Sequence, residues 1–103
     1  MYREFIVNNF GNVHLKGFEL LVKACEMYSV GMTTMEQVYK CLADERPGVS
    51  RHGIERSIRS YIHALEPREL ERCLPRMYTI TNKSVIAGIV TEANREAAKQ
   101  ESR

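Results

Sequence analysis

Apolar residues recur at steps of three and four along most of this 103-residue chain, and this helical spacing limits its fold more than any other feature. The stripe of the first long helix, which runs from about residue 15 to residue 30, consists of Phe18, Leu21, Val22, Cys25 and Tyr28. A sandwich or small barrel needs a turn signal about every ten residues. The chain has only 6 Gly and 3 Pro, so the spacing predicts an all-α fold.

A short second helix is predicted after Gly31, which is placed to adopt a positive φ at the end of the first helix. Thr33 and Glu36 have the spacing of a capping box, in which each side chain accepts a hydrogen bond from the backbone of the other. The apolar stripe of this helix consists of Met35, Val38, Tyr39 and Leu42. The run from Arg46 to Val49 ends the helix, because its Pro-Gly pair disfavours helical backbone and allows a sharp turn.

The next helix, at about residues 51–65, has two contrasting faces, and Ser50 is a good N-cap for it. Its apolar stripe consists of Ile54, Ile58, Tyr61, Ile62 and Leu65. Its outer face carries His52, Glu55, Arg56, Arg59 and His63. Residues 46–63 have a net charge of +3, whereas the rest of the chain has −1. This concentration of positive charge indicates a polyanionic partner.

The segment that follows is predicted to hold one short charged helix and a loop. Pro67 is suited to a first-turn position, and the helix is expected to continue to about Leu74, where Pro75 stops it. The stretch from Met77 to Ile80 is the only one with some extended character, and we expect a loop there.

A final helix is predicted to begin with Thr81 or Asn82 as its cap, and its tail after about Ala97 is expected to fray. Its apolar stripe consists of Val85, Ile86, Ile89, Val90 and Ala93. The opening segment, Tyr2 to Phe10, adds one or two helical turns. Together these elements predict a single domain over residues 1–103, a compact five- to six-helix bundle that contains a helix-turn-helix.

The helix-turn-helix prediction carries a functional hypothesis. A helix fits the major groove of DNA, and only its outer face can reach base edges and phosphates. Arginine suits that face because its guanidinium forms forked hydrogen bonds, and free N–H groups beside Ser50 can hold a phosphate. A plainer interpretation stays open, because Glu55 and Arg59 also have the order and spacing of an ion pair on a solvated helix.

Other classes of site have little support in the sequence. Cys25, Cys41 and Cys73 have no C-x-x-C spacing, and their odd number argues against a disulfide framework, so a reducing cytoplasm is the expected location. The histidines have no ligand spacing with these cysteines, and no catalytic set or phosphate loop is recognisable. We therefore expect no metal, no cofactor and no enzymatic activity. The chain has no apolar run long enough for a membrane span and no secretory signal.

Three motifs, in the right order over most of the chain, resemble the C-terminal effector domain of the sporulation response-regulator family, that of stage zero sporulation protein A. His-Leu-Lys-Gly at residues 14–17 is similar to the His-Ile-Lys-Gly run that opens the family's first long helix. Ile-Glu-Arg-Ser-Ile-Arg at residues 54–59 resembles the Val-Glu-Arg-Ala-Ile-Arg core of its recognition helix. Residues 81–87 resemble the Thr-Asn-Ser-x-Phe-Ile-Ala start of its last helix.

The resemblance implies a bacterial transcription regulator that binds short repeated boxes in double-stranded DNA, with residues 51–65 in the major groove. Family members sit head to tail on tandem boxes and contact RNA polymerase through its sigma subunit, which implies a homodimer on tandem sites. Glu55 would accept a hydrogen bond from a base edge, and Arg56 and Arg59 would hold phosphate or base. The candidate DNA-binding residues are Ser50, Arg51, His52, Glu55, Arg56, Arg59 and His63. Solvation of the two histidines is the plainer alternative.

The chain also departs from the family. The family has a base-reading Arg two residues before its Glu, where this chain has Gly53, and Arg51 cannot occupy the same place on the helix. Glycine in a helix costs about 1 kcal/mol relative to alanine, so either the helix starts later or the missing side chain allows a closer backbone approach. In addition, Lys40 to Asp44 replaces a more basic segment, which weakens the expected backbone contacts.

A second hypothesis follows from these departures. The acidic cluster of the family's receiver domain does not occur in these residues, which indicates an excised segment or a stand-alone relative. Together with Gly53, this supports a helical protein-interaction module derived from the same fold that has lost DNA binding. The two hypotheses differ in whether Arg56 and Arg59 are needed for the interaction.

Overall fold

The computed structural model describes residues 1–75, 77 and 79–101, and these residues form six helices and no strand. The helices are α1 (Tyr2–Asn9), α2 (Gly17–Ser29), α3 (Met35–Asp44), α4 (Arg51–His63), α5 (Pro67–Cys73) and α6 (Asn82–Glu101). The Cα radius of gyration is 13.3 Å, close to the value of about 13 Å expected for a compact domain of 100 residues. The predicted all-α bundle is therefore confirmed.

Helix α2 lies at the centre of the bundle and contacts α1, α3, α4 and α6. Four of its five predicted stripe residues are buried, and Tyr28 is half-buried. Leu20 and Ala24, which lie outside the predicted stripe, are buried as well. The reason is that α2 has neighbours on several sides, whereas a single apolar stripe predicts only one.

Helix α3 is capped one residue later than the sequence predicts. Thr34, in extended backbone, is the N-cap, and its hydroxyl oxygen accepts a hydrogen bond from the backbone N–H of Gln37 at 3.4 Å. The capping box of Thr33 with Glu36 is therefore wrong. Since the helix begins at Met35, Glu36 is its second residue, and its carboxylate lies 3.6 Å from the Arg51 guanidinium instead.

The turn between α3 and α4 follows the prediction closely. It spans Arg46 to Val49, between the C-cap Glu45 and the N-cap Ser50, and Gly48 adopts a φ of 80° within it. The Ser50 hydroxyl oxygen accepts a hydrogen bond from the Gly53 N–H at 3.1 Å, which confirms the predicted cap. All five stripe residues predicted for this helix are buried, although α4 itself ends at His63.

The C-terminal third contains the short helix and the long helix that the sequence predicts. Pro67 is the first residue of α5, and α6 begins after reciprocal hydrogen bonds between Thr81 and Ser84, at 2.9 and 3.1 Å. Met77, Thr79 and Ile80 lie outside helices, as predicted for a loop, and Tyr78 lies outside the described residues. Helix α6 continues past Ala97 to Glu101, and the expected fraying of this tail stays a prediction.

Candidate nucleic-acid interface

The candidate residues all lie on α4 or at its cap. One side of the helix is buried against α2, α3 and α6, and the other side is open. Arg56 and Arg59 are exposed, and the His52 side chain is 91% exposed. His63 and Ser50 are exposed as well. The apolar and charged faces inferred from the helical spacing are therefore the inner and outer faces of α4.

Glu55 lies between Arg59 and His52 on the outer face. Its carboxylate is 3.2 Å from the Arg59 guanidinium and 3.9 Å from the His52 ring nitrogen Nδ1. The Glu55–Arg59 pair is the one that the sequence spacing predicts for a solvated helix. Exposed pairs of this kind contribute about 0–1 kcal/mol to stability, so Arg59 can exchange its carboxylate partner for a phosphate at little cost.

The other arginines of the basic stretch differ in what they contact. Arg51 points toward α3 and pairs with Glu36, which places it at the edge of the outer face. The Arg46 guanidinium donates a hydrogen bond to the Leu42 carbonyl oxygen at 3.2 Å and helps to end α3. Arg56 has no acidic partner within 4.0 Å among the described residues. Of the three arginines in α4, Arg56 is therefore the only one without a carboxylate partner among the described residues.

Two contacts with the N-terminal half hold α4 from behind. The Tyr61 hydroxyl donates a hydrogen bond to the Gly11 carbonyl oxygen at 2.6 Å, and burial raises the pKa of Tyr61 to about 12. Gly17, the first residue of α2, lies directly against the backbone of Ser57. These contacts fix the inner face of α4 and leave its outer face open.

A third contact, which the sequence reasoning missed, holds α4 from the side. The side-chain amide of Asn82 donates hydrogen bonds to the Tyr39 hydroxyl at 3.0 Å and to the Glu55 carbonyl oxygen at 3.1 Å. One side chain of α6 thus connects α3 and α4 at the level of Glu55. Residue spacing holds no signal for this bond, because the sequence presents Asn82 only as a possible helix cap.

Gly53 is neither outside the helix nor in close backbone contact. It is the third residue of α4, so the helix does not start later than this position. A Cβ atom added here would meet only ordinary contacts, at 3.5 Å from both Ser50 Oγ and Val49 Cγ1. The helix therefore does not start after Gly53, and a closer approach of its backbone to DNA stays a prediction.

The three cysteines differ in burial, since Cys25 is buried whereas Cys41 and Cys73 are half-buried. Cys25 is fully buried in the core, and burial raises the pKa of its thiol well above the ordinary range. Cys73 is half-buried, and its thiol donates a hydrogen bond to Asn9 Oδ1 at 3.4 Å.

Within residues 1–75, 77 and 79–101, no group of three His, Cys, Asp or Glu could hold a metal ion. In the same residues, no helix is long and apolar enough to span a bilayer.

Comparison of the chain with protein-family models, with curated proteins and with solved structures finds no match. The resemblance to the sporulation effector domain therefore stays a prediction from three short motifs.

Proposed function

We propose that this protein binds duplex DNA in a sequence-specific manner as a bacterial transcription regulator, with α4 in the major groove. The observation that carries the proposal is the division of α4 into a buried apolar face and an open face that bears Arg56 and Arg59. A helix in the major groove needs this division, because one face must hold it to the domain while the other reaches the bases.

In this proposal, α3 and the turn from Arg46 to Val49 support α4 from one side, as in a helix-turn-helix. Arg56 and Arg59 contact phosphate or guanine, and Glu55 accepts a hydrogen bond from a cytosine amino group. Arg59 releases Glu55 on binding. Ser50 sits at the start of the helix, where N–H groups can hold a phosphate. Arg51, His52 and His63 complete the contact surface at its two ends.

Selection of bound duplexes from a random pool tests this proposal and its sequence preference together. We expect a short enriched box, and we expect Arg56→Ala and Arg59→Ala to weaken binding to it. Both side chains are exposed, so the midpoint of thermal unfolding should stay within about 4 °C of the parent. Failure to enrich any sequence, or loss of folding in both variants, would contradict the proposal.

The resemblance extends the proposal to partners and context. Head-to-tail binding predicts that two copies occupy a duplex with two tandem boxes, which sedimentation of the complex would measure. The resemblance also extends the proposal to contact with the sigma subunit of RNA polymerase, to a role in sporulation and to a cytoplasmic location. If duplexes with one box and two boxes bind one copy each, the tandem arrangement is wrong.

A protein-interaction module is the second candidate function. It is favoured by the two ion pairs that occupy Arg51 and Arg59 and by Gly53 at the place of a base-reading side chain. Recovery of a protein partner by the parent and equally by Arg56→Ala and Arg59→Ala would support this candidate. It would be contradicted if both variants lost duplex binding and kept their fold.

A further inference from the structure

A groove runs along each side of α4, and each groove has a lysine from another element at its edge. On the α2 side, Lys16 and Arg56 line the groove together with the small side chains of Ser57 and Ser60. On the α6 side, the lining includes Arg59, His63 and Lys83, next to Tyr39 and Asn82. The two grooves share no residue, so they lie on separate flanks of the same helix.

The charges of both grooves favour an anion. Lys16, Arg56 and Lys83 are exposed, and none has an acidic partner within 4.0 Å in the part of the chain that the structure describes. Among the described residues, Glu55 is the only acidic one that lines either groove, and it pairs with Arg59. Each groove therefore has one arginine on α4 and one lysine facing it, from the N-cap of α2 or from α6.

The separation of the grooves suits a DNA duplex. A helix with its side chains is about 10–12 Å across, and the major groove of B-DNA is about 12 Å wide. When a helix fills the major groove, the two phosphate backbones that border the groove must pass along the two flanks of that helix. The flanks of α4 are the two grooves that contain Lys16 and Lys83.

Building on the proposed function, we propose that each groove holds one of the two phosphate backbones. Lys16 and Arg56 contact the backbone of one strand, and Lys83 and Arg59 contact the backbone of the other. The two lysines then fix the depth and angle of α4 in the major groove without reading bases, since phosphate contacts position a protein on DNA and base contacts give sequence preference.

Lys99 provides a matched control. It is an exposed lysine on α6, like Lys83, and it has no acidic partner within 4.0 Å among the described residues. It lies sixteen residues further along the helix, which corresponds to about 24 Å. Lys99→Ala thus removes the same charge from the same helix at a place that a duplex on α4 does not reach.

The experiment measures the duplex affinity of the whole chain against salt for the parent, Lys16→Ala, Lys83→Ala and Lys99→Ala, with the duplex selected from the random pool. Loss of one phosphate contact makes the negative slope of log K against log salt shallower by about 0.9. We expect that loss for Lys16→Ala and for Lys83→Ala, and no change for Lys99→Ala. Lys16→Arg and Lys83→Arg should keep the parent slope.

Phosphate ethylation interference then assigns the strands. In the parent, ethylation should block binding on both strands beside the box. Lys16→Ala should relieve the block on one strand only, and Lys83→Ala on the other strand only. Relief on the same strand in both variants would overturn the assignment of one backbone to each groove.

The outcomes separate this inference from the proposed function. If Arg56→Ala and Arg59→Ala weaken binding while both lysine variants keep the parent slope, the inference is wrong and the proposed function stands. If the parent binds no duplex at low salt, both are wrong. If the slope becomes equally shallower in all three lysine variants, the inference is also overturned, because the change would then reflect net charge rather than contact with phosphate.

Discussion

A Cβ atom placed on Gly17 would lie 2.1 Å from the backbone carbonyl oxygen of Ser57. No other side chain fits at this position, so α2 and α4 meet here with backbone against backbone. The same hypothetical Cβ would lie 2.9 Å from the Cβ of Tyr61. This contact sets how closely the proposed DNA-binding helix lies against the core of the bundle.

We expect Gly17→Ala to destabilise the protein strongly. The added methyl group must push α4 away from α2, and overpacking of this kind costs about 1–3 kcal/mol. In a domain of this size, that loss lowers the midpoint of thermal unfolding by about 4–8 °C for each kcal/mol. Differential scanning calorimetry would measure the change.

Gly53→Ala is the matched control, because this glycine is also in the first turn of a helix but has room for a methyl group. Here we expect no loss and a gain of up to about 1 kcal/mol from helix propensity. Equal destabilisation by the two substitutions would show that the contact between Gly17 and Ser57 has no special role.

Tyr61 should make the stability of the protein depend on alkaline pH. Burial raises its pKa from 10 to about 12, and its hydroxyl proton is needed for the hydrogen bond to Gly11. Since the pKa is higher in the folded state, this stabilisation is complete below pH 10 and is lost as the pH rises toward 12. The loss should reach about 2 kcal/mol near pH 12.

Urea unfolding of the parent and Tyr61→Phe between about pH 7 and about pH 12 measures this effect. The variant should be less stable by about 1 kcal/mol at neutral pH, because the Gly11 carbonyl loses its partner. It should also lose less stability than the parent at alkaline pH. Burial raises the pKa of Tyr39 too, but that residue is present in both proteins. Parallel curves for the two proteins would contradict the assignment.

Asn82 should position Glu55 in addition to stabilising the bundle. Asn82→Ala removes both hydrogen bonds, to Tyr39 and to the Glu55 carbonyl, and we expect a stability loss of about 1 kcal/mol. A purely structural role would lower affinity for all duplexes alike. A positioning role lowers the ratio of affinities for the selected box and a box with one wrong base, which is normally worth about 1–3 kcal/mol.

The matched control is Asn94→Ala, an exposed asparagine on the same helix whose side-chain oxygen accepts a hydrogen bond from the Tyr2 hydroxyl at 3.3 Å. It should leave the affinity ratio unchanged. If Asn82→Ala keeps the full ratio as well, Asn82 has only a structural role.

Glu55→Gln should separate affinity from sequence preference. Removal of the carboxylate takes a negative charge from the outer face of α4 and releases Arg59, so affinity for an unrelated duplex should rise. The preference for the selected box should also fall, by about 1 kcal/mol, because an amide oxygen accepts from a cytosine amino group more weakly than a carboxylate does, and the amide NH2 can donate to other bases. Fluorescence anisotropy with both duplexes gives the two values. Glu96→Gln, an exposed carboxylate on α6, should change neither value.

The sequence predicted which side chains of each helix are buried more accurately than it predicted which residues of neighbouring helices are in contact. The apolar stripe of α4, from Ile54 to Leu65, is buried as expected, because burial follows directly from helical spacing. Leu20 and Ala24 were missed because their burial depends on neighbours from distant parts of the chain. The cap of α3 shifted from Thr33 to Thr34 because adjacent threonines offer the same chemistry to the helix start.

The candidate interface shows the same limit. Arg56 and Arg59 could be placed on an outer face from spacing alone. The hydrogen bonds of Asn82 and the close contact at Gly17 join residues that are far apart in sequence. A pattern of residue types does not indicate the distance between such residues in the folded chain. The Arg51–Glu36 pair was missed for the same reason, since it depends on the angle between α3 and α4.

The dependence of duplex affinity on salt tests the central claim most directly. If the open face of α4 and its flanks neutralise about five phosphates, log K for the parent should fall with log salt at a slope of about −4.5. Combined Arg56→Ala and Arg59→Ala substitution should reduce the slope to about −2.7, since two contacts are lost. No measurable affinity for any duplex at low salt, or a slope that both arginine substitutions leave unchanged, would contradict the account.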